Sequence, residues 1–188
     1  TSRDAADGNA FDYTSGVTSF VAPGQAFSAG QYYVGRVFLP TDTSSITSGG
    51  TITAGGNSVN VYPAAIRNVD SDTIRVITTT QASSSSLANA DYDQVGTTDN
   101  GSLALASFTG GQINTITLNS TGDGNISNTG TTLFGLRSAQ DISNTAPTGD
   151  ANDFGGGNGM STSENATSGQ RPYLTIIYAL GGAALFMT

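Results

Sequence analysis

Apolar residues in this chain recur at every second position in short runs, and almost nowhere at the three-to-four-residue spacing of a helix. In "DTIRVITTT", Ile74 and Val76 share a face with Thr78, while Arg75 and Ile77 take the other. In "NTITLN", Ile116 and Leu118 alternate with threonines, as in a strand buried on one side. The same reading predicts strands at 17–21, 31–39, 51–53, 58–62, 73–80, 103–108, 114–119, 131–137 and 172–180, separated by Gly, Asn, Asp and Ser clusters. Short strands punctuated by polar turns predict an all-β fold, a jelly-roll-like antiparallel β-sandwich. One domain is expected over 1–180, with 1–30 as an N-terminal arm and first strand, and an apolar tail at 181–188. A chain of 188 residues is long enough to bury one such core.

Two stretches break the strand pattern. Residues 81–101 carry "ASSSSLANADYDQVGTTDNG", with a turn of helix expected at 87–92, and 144–168 are expected to hold little regular structure. Long loops on a rigid scaffold are where binding residues usually lie.

Composition narrows the function classes. Charged residues make up 11% of the chain, against a typical ~25%, and 36% apolar content with clear strand patterns argues for a folded chain. Six arginines face fourteen acidic residues for a net charge of −8, with no lysine and no histidine. A negative chain lacking a basic cluster is a poor match for nucleic acid or an anionic membrane surface. The tail is the longest apolar stretch, but Gly, Thr and Tyr interrupt it, so no membrane insertion is expected. Cysteine is absent, which rules out disulfides and thiolate metal sites, and without lysine there is no isopeptide crosslink. The polar, acidic opening shows no signal-peptide pattern, and a start at Thr1 leaves room for a segment removed upstream.

Three segments, in order, carry a resemblance. "YYVGRVFLPTDTSSI" (32–46) precedes "TIT" and "VNVYP"; "ITLNSTGDGNISNTGTTLFGLRSAQDI" (116–142) follows; "RPYLTIIY" (171–178) closes. Together these resemble the jelly-roll domains of phage and microbial surface proteins related to DNRLRE-type carbohydrate-binding-like modules. The resemblance spans about 32–178 and implies a jelly roll with a surface or particle role. Two departures stand out: Pro40-Thr41 precede "DTSSI" where the family has an aromatic, and the short helix after "LNSTG" would have to run through Asp123-Gly124, a poor helix former.

The same residues have a physical reading. Asp42, followed by Thr43-Ser44-Ser45, suits a chain leaving a sheet into a turn. Arg36 and Arg137 lie within strand patterns, so each is expected to be tied to a carboxylate or to loop carbonyls as a structural residue, with an acidic ligand as the alternative.

Catalysis is not expected. Asp70/Asp72 and Asp91/Asp93 have i, i+2 spacing, which on a strand would place two carboxylates on one face as in glycosidases, but turn aspartates are the simpler reading. No histidine, cysteine or lysine exists to complete a nucleophile–base set. No cofactor is expected; calcium is the alternative, at 4–12 ("DAADGNAFD") or 148–159 ("TGDANDFGGGNG"). Asn119, Asn125 and Asn165 head glycosylation sequons that matter only in a glycosylating host.

These readings converge on a non-enzymatic structural protein of a phage-type particle, a decoration or fibre domain on the virion surface or otherwise extracellular. The alternatives are a carbohydrate-binding module, with Tyr13, Tyr92 and Phe154 as glycan contacts, and a filament subunit built by strand exchange. The 172–180 run is expected to be a central strand with both faces apolar. After Gly181-Gly182, the tail residues Leu185, Phe186 and Met187 are expected to pack against a neighbouring subunit, making a homo-oligomer such as a trimer or lattice with other particle proteins as partners.

Overall fold

The protein was analysed as a computed structural model, which describes residues 4–6, 8, 20–21, 23–28, 31–46, 50–64, 66, 71–146 and 159–180. It is an all-β protein of antiparallel sheets. In chain order the strands are β1 (Phe20–Val21), β2 (Gly24–Ser28), β3 (Gln31–Gly35), β4 (Val37–Asp42), β5 (Thr51–Ile52), β6 (Ser58–Val61), β7 (Thr73–Thr78), β8 (Ser102–Ala104), β9 (Asn114–Thr117), β10 (Thr131–Ser138), β11 (Met160–Ser161), β12 (Tyr173–Thr175) and β13 (Tyr178–Ala179). Two short helices, α1 (Ser120–Gly124) and α2 (Ala139–Ser143), interrupt them.

The largest sheet has the order β4-β10-β7-β8, and a second has the order β12-β6-β9. Two-stranded ladders join β1 to β11, β2 to β3 and β5 to β13. The core is one cluster drawn from both main sheets: Val37, Ile74, Val76, Phe134 and Leu136 from the first, Val59, Val61 and Ile116 from the second. In the second sheet, Leu174, Val59 and Ile116 are in register and lie in or against that core. Tyr173, Asn60 and Thr115 are in register one position away, on the outer face that pleat alternation demands.

Several boundaries differ from the sequence reading, each for a local reason. The strand expected at 31–39 breaks at Arg36, whose side chain is bound into the interior; β3 before it makes a hairpin with β2, and β4 after it joins the large sheet. The stretch expected at 103–108 leaves the ladder at Leu105, which begins a 3₁₀ turn and is fully buried. β2 and β11 arise where no strand was expected. Within the supposed loop, Met160 is buried in the core and pairs with Val21 while bridging Pro63.

The expected central strand at 172–180 is instead an edge in two pieces. β12 pairs with β6 and β13 with β5, with Ile176-Ile177 as the break between them. At that break Asn57 presents its side-chain oxygen to the Ile177 N–H at 2.6 Å, while the Ile177 carbonyl accepts from the Thr53 N–H at 2.8 Å. A side chain thus replaces the ladder partner, and the strand passes from one neighbour to the next.

Gly135 sits in the middle of β10, between Phe38 of β4 and Ile77 of β7. A Cβ there would stand 2.5 Å from the Val37 carbonyl oxygen and 2.7 Å from the Thr79 methyl. We expect Gly135→Ala to cost about 3 kcal/mol through overpacking, lowering the melting temperature by roughly 6–12 °C for a chain of this size. Gly124→Ala, whose methyl would meet nothing, is the control and should be neutral or slightly stabilising by thermal melting.

Candidate functional site

The most concentrated chemistry in the described residues is built on the end of β10. Ser138 caps α2: its hydroxyl accepts the N–H groups of Gln140 at 3.2 Å and Asp141 at 3.3 Å, and donates to Asp72. Asp72 completes the brace by accepting from the N–H groups of Thr73 and Gln140 at 2.7 and 3.2 Å. This cap holds Asp141 in the first turn of α2, one helical turn from Arg137.

Asp141 receives two arginine forks. Arg36 Nε and Nη2 donate to its Oδ2 and Oδ1 at 2.9 and 3.0 Å; Arg137 Nε and Nη2 donate to the same two oxygens at 2.6 and 3.2 Å. The remaining amino groups reach loop carbonyls. Arg36 Nη1 donates to Tyr92 O at 2.8 Å, and Arg137 Nη1 to Val95 O and Gly96 O at 3.2 and 3.1 Å. The Arg36 guanidinium also lies 4.3 Å from the centre of the Tyr92 ring, within cation–π distance.

Burial pushes the Asp141 carboxyl up, but the hydrogen bonds and charges of Arg36 and Arg137 outweigh it and hold the group below the usual aspartate range. Burial raises the Tyr92 phenol, with Arg36 pulling it partly back. Chemically, the arrangement is a brace: both carboxylate oxygens are engaged twice, and the guanidinium donors face inward. It joins β10, the β3–β4 junction and the 89–96 loop.

A second polar junction lies at α1. Asn119 caps it, accepting from Thr121 and Gly122 at 3.0 Å each. Asp123, a poor helix former through which this helix has to run, turns inward and accepts from Asn57 Nδ2 at 2.7 Å and from the Gly55 N–H at 2.8 Å. Those bonds override a weak local propensity.

The remaining candidates fall as follows. Asp42 accepts the Ser44 N–H at 2.9 Å, and the Ser44 hydroxyl and N–H together hold its carboxyl below the ordinary range. The following Thr43 donates to Gly130 O at 2.7 Å and Ile46 enters the core, so "DTSSI" is a turn tied to the start of β10. Asp91 and Asp93 do not form a strand pair. Both sit in a 3₁₀ helix (Asn89–Asp93), where Asp91 is buried and accepts the N–H groups of Ala82 and Ala88, while Asp93 is exposed beside Gln94. Asp72 is occupied at the α2 cap, and Asp70 lies outside the described residues.

Tyr92 is half-buried: Arg36 lies over its ring, and the backbone of Gly8 packs so closely that a Cβ there would meet the ring at 2.7 Å. That leaves it a poor platform for a sugar. Tyr13, Phe154, Leu185, Phe186 and Met187 lie outside the described residues, as do 7, 9–12 and 148–158 of the two calcium candidates. Among the described residues no group of three or more metal-ligating side chains comes together, and no helix is long and apolar enough to cross a membrane. The sequon amides of Asn119, Asn125 and Asn165 donate to Asp99 O, Asn100 Oδ1 and Ser161 Oγ.

Asp141 and Asn57 were not singled out from sequence, and Asp123 stood out only as a poor helix former. Asp141 carried a usable signal, a Ser-x-x-Asp cap spacing directly after an arginine in a strand. Asn57 and Asp123 carried none, because their partners are distant in the chain.

A carboxylate whose pKa is depressed by folding contributes stability above the unfolded value of about 3.9 and loses it as pH falls through the folded value. The melting temperature of the protein should therefore drop as pH is lowered below about 4. Asp141→Asn should cost about 3–5 kcal/mol at neutral pH, by leaving two buried guanidinium groups without a counter-charge, and should weaken the acid dependence. Melts recorded from pH 7 to pH 2 check both.

With this geometry in place, comparison with known proteins adds no relative: no family model, no curated protein and no solved structure matches this chain.

Proposed function

We propose that the protein is a non-enzymatic structural component of a phage-type particle, a decoration or fibre domain held by protein–protein contacts. The observation that carries this reading is that the buried charged groups are committed to braces. Asp72, Asp123 and Asp141 each accept donors from distant segments, Asp91 accepts the N–H groups of Ala82 and Ala88 within its own loop, and Arg36 and Arg137 close on Asp141. Such wiring fixes a scaffold, and among the described residues it occupies the buried carboxylates with structural hydrogen bonds. The motif resemblance to phage and microbial surface jelly rolls supports the same reading, and with it a jelly-roll connectivity for the sandwich.

A second reading, glycan binding, is favoured by one feature. The β2–β3 hairpin exposes Tyr32 and Tyr33, adjacent residues on a strand and so on opposite faces. Aromatic rings on two uncharged strands suit a sugar better than an ion.

Two measurements separate these readings. Immunogold labelling and quantitative mass spectrometry of purified particles should find the chain on the particle surface at fixed stoichiometry; recovery only in the particle-free fraction would reject the structural reading. On a glycan array the protein should show no binding that Tyr32→Ala or Tyr33→Ala removes. Binding lost with those tyrosines would favour the second reading.

A further inference from the structure

The exposed apolar side chains are unevenly placed. Six large hydrophobic residues are exposed among the described residues, and four belong to the last described segment: Tyr173 (51%), Ile177 (46%), Tyr178 (41%) and Leu180 (67%). That segment is an edge. Among the described residues, β12 has β6 as its sole ladder neighbour and β13 has β5, so the other side of each strand has no ladder partner among them.

Natural edge strands are usually blunted by charge, proline or brevity. The edge strand β4 follows that rule, with Pro40 and Asp42 in its six residues. The C-terminal edge is blunted by brevity alone, with strands of three and two residues: Pro172 precedes it, and no charged residue occurs from 172 to 188. The strands beside it, β5, β6 and β9, are uncharged as well.

In a chain of net charge −8, this neutrality selects the partner. A second copy brings the same negative charge, so two copies approach with least repulsion through the surface that carries none. An uncharged antiparallel edge is also self-complementary: a two-fold axis sets it against its own copy, with the backbone groups on either side of the Ile177 break as the pairing donors and acceptors. We propose that the segment from Tyr173 to Leu180 is a contact between copies of this chain, paired edge to edge with the same segment of a second copy. The proposal rests on the reading of the protein as an assembling structural subunit, and it places the contact before the tail rather than within Leu185, Phe186 and Met187.

The test is sedimentation velocity on the full chain across micromolar concentrations. Three proteins are compared: the wild type, an acidic variant (Ile177→Asp with Leu180→Asp) and a basic variant (Ile177→Arg with Leu180→Arg). Wild type should sediment as a dimer or larger species. Each variant alone should be at least tenfold weaker in self-association while keeping the wild-type circular dichroism spectrum. Mixing the two should restore association, because opposite charges then face each other, which a misfolded variant could not reproduce. Truncation after Leu180 should leave association in place. A wild type that stays monomeric, variants that associate like wild type, or loss of association on truncation alone would each overturn the contact. Variants with an altered dichroism spectrum and no recovery on mixing would overturn it too, by showing these side chains to be part of the fold. Because this readout is taken in solution, it can fail while the chain is still found on particles, and it can succeed while it is not.

Discussion

A guanidinium taken out of water demands a counter-charge, and this fold places two of them against one carboxylate. Asp141 is the point at which chain segments far apart in sequence become fixed relative to one another. Arg36 reaches it from the β3–β4 junction, Arg137 from β10 one helical turn away, and the arginines carry the constraint on to the carbonyls of Tyr92, Val95 and Gly96. Beyond the carboxylate, the carbonyl dipoles and the Tyr92 ring also face the two guanidinium groups. Lysine could not substitute, because a compact ammonium lacks the planar fork that engages both carboxylate oxygens and still has a donor left for a carbonyl. The chain contains arginine and no lysine, and in this junction the distinction has a structural consequence.

The brace also accounts for the course of the surrounding chain. The apolar alternation from 31 to 39 reads as one strand, yet the backbone leaves one ladder and joins another at Arg36. Once Arg36 is drawn to Asp141, β2 and β3 form their own hairpin and β4 becomes free to pair over its whole length with β10. The base of that hairpin is fixed by Gln25, which donates to Thr145 O at 3.0 Å just beyond α2. One short helix therefore positions both the ion cluster and the hairpin that carries the exposed tyrosines.

Strand existence was legible in the sequence because burial on one face writes an alternation into the residues. Ile116 and Leu118 are buried between exposed threonines as their spacing requires, and Ile74 and Val76 are fully buried. What the pattern could not show was pairing. Whether the run from 172 to 180 is central or an edge depends on what lies beside it, and an uncharged apolar run is equally compatible with both until its neighbours are known. The helix at α1 shows the same limit from the other side. Asp123-Gly124 is a poor local helix former, and it holds because Asn57 and the Gly55 N–H supply partners from more than sixty residues away. For the site, the two arginines stood out because charge in a strand is rare, whereas the aspartate that satisfies both resembles any other cap residue.

Asp123 and Asp141 reveal a common logic in how a chain with so few charges is held together. Each sits in the first turn of a short helix following a strand, each is buried, and each binds donors from other parts of the chain. Capping explains why a helix of five residues persists there at all, since segments this short have no independent stability. The helices act less as secondary structure than as rigid mounts that aim a carboxylate inward. Through Asn57, which is bound to Asp123 at one end and to the Ile177 N–H at the other, the second mount reaches the final strand and sets where it changes partners. The interior charges thus decide the placement of a surface that has none. Ionic groups wire the inside, and the C-terminal edge is left neutral, apolar and, among the described residues, without a ladder partner along one side.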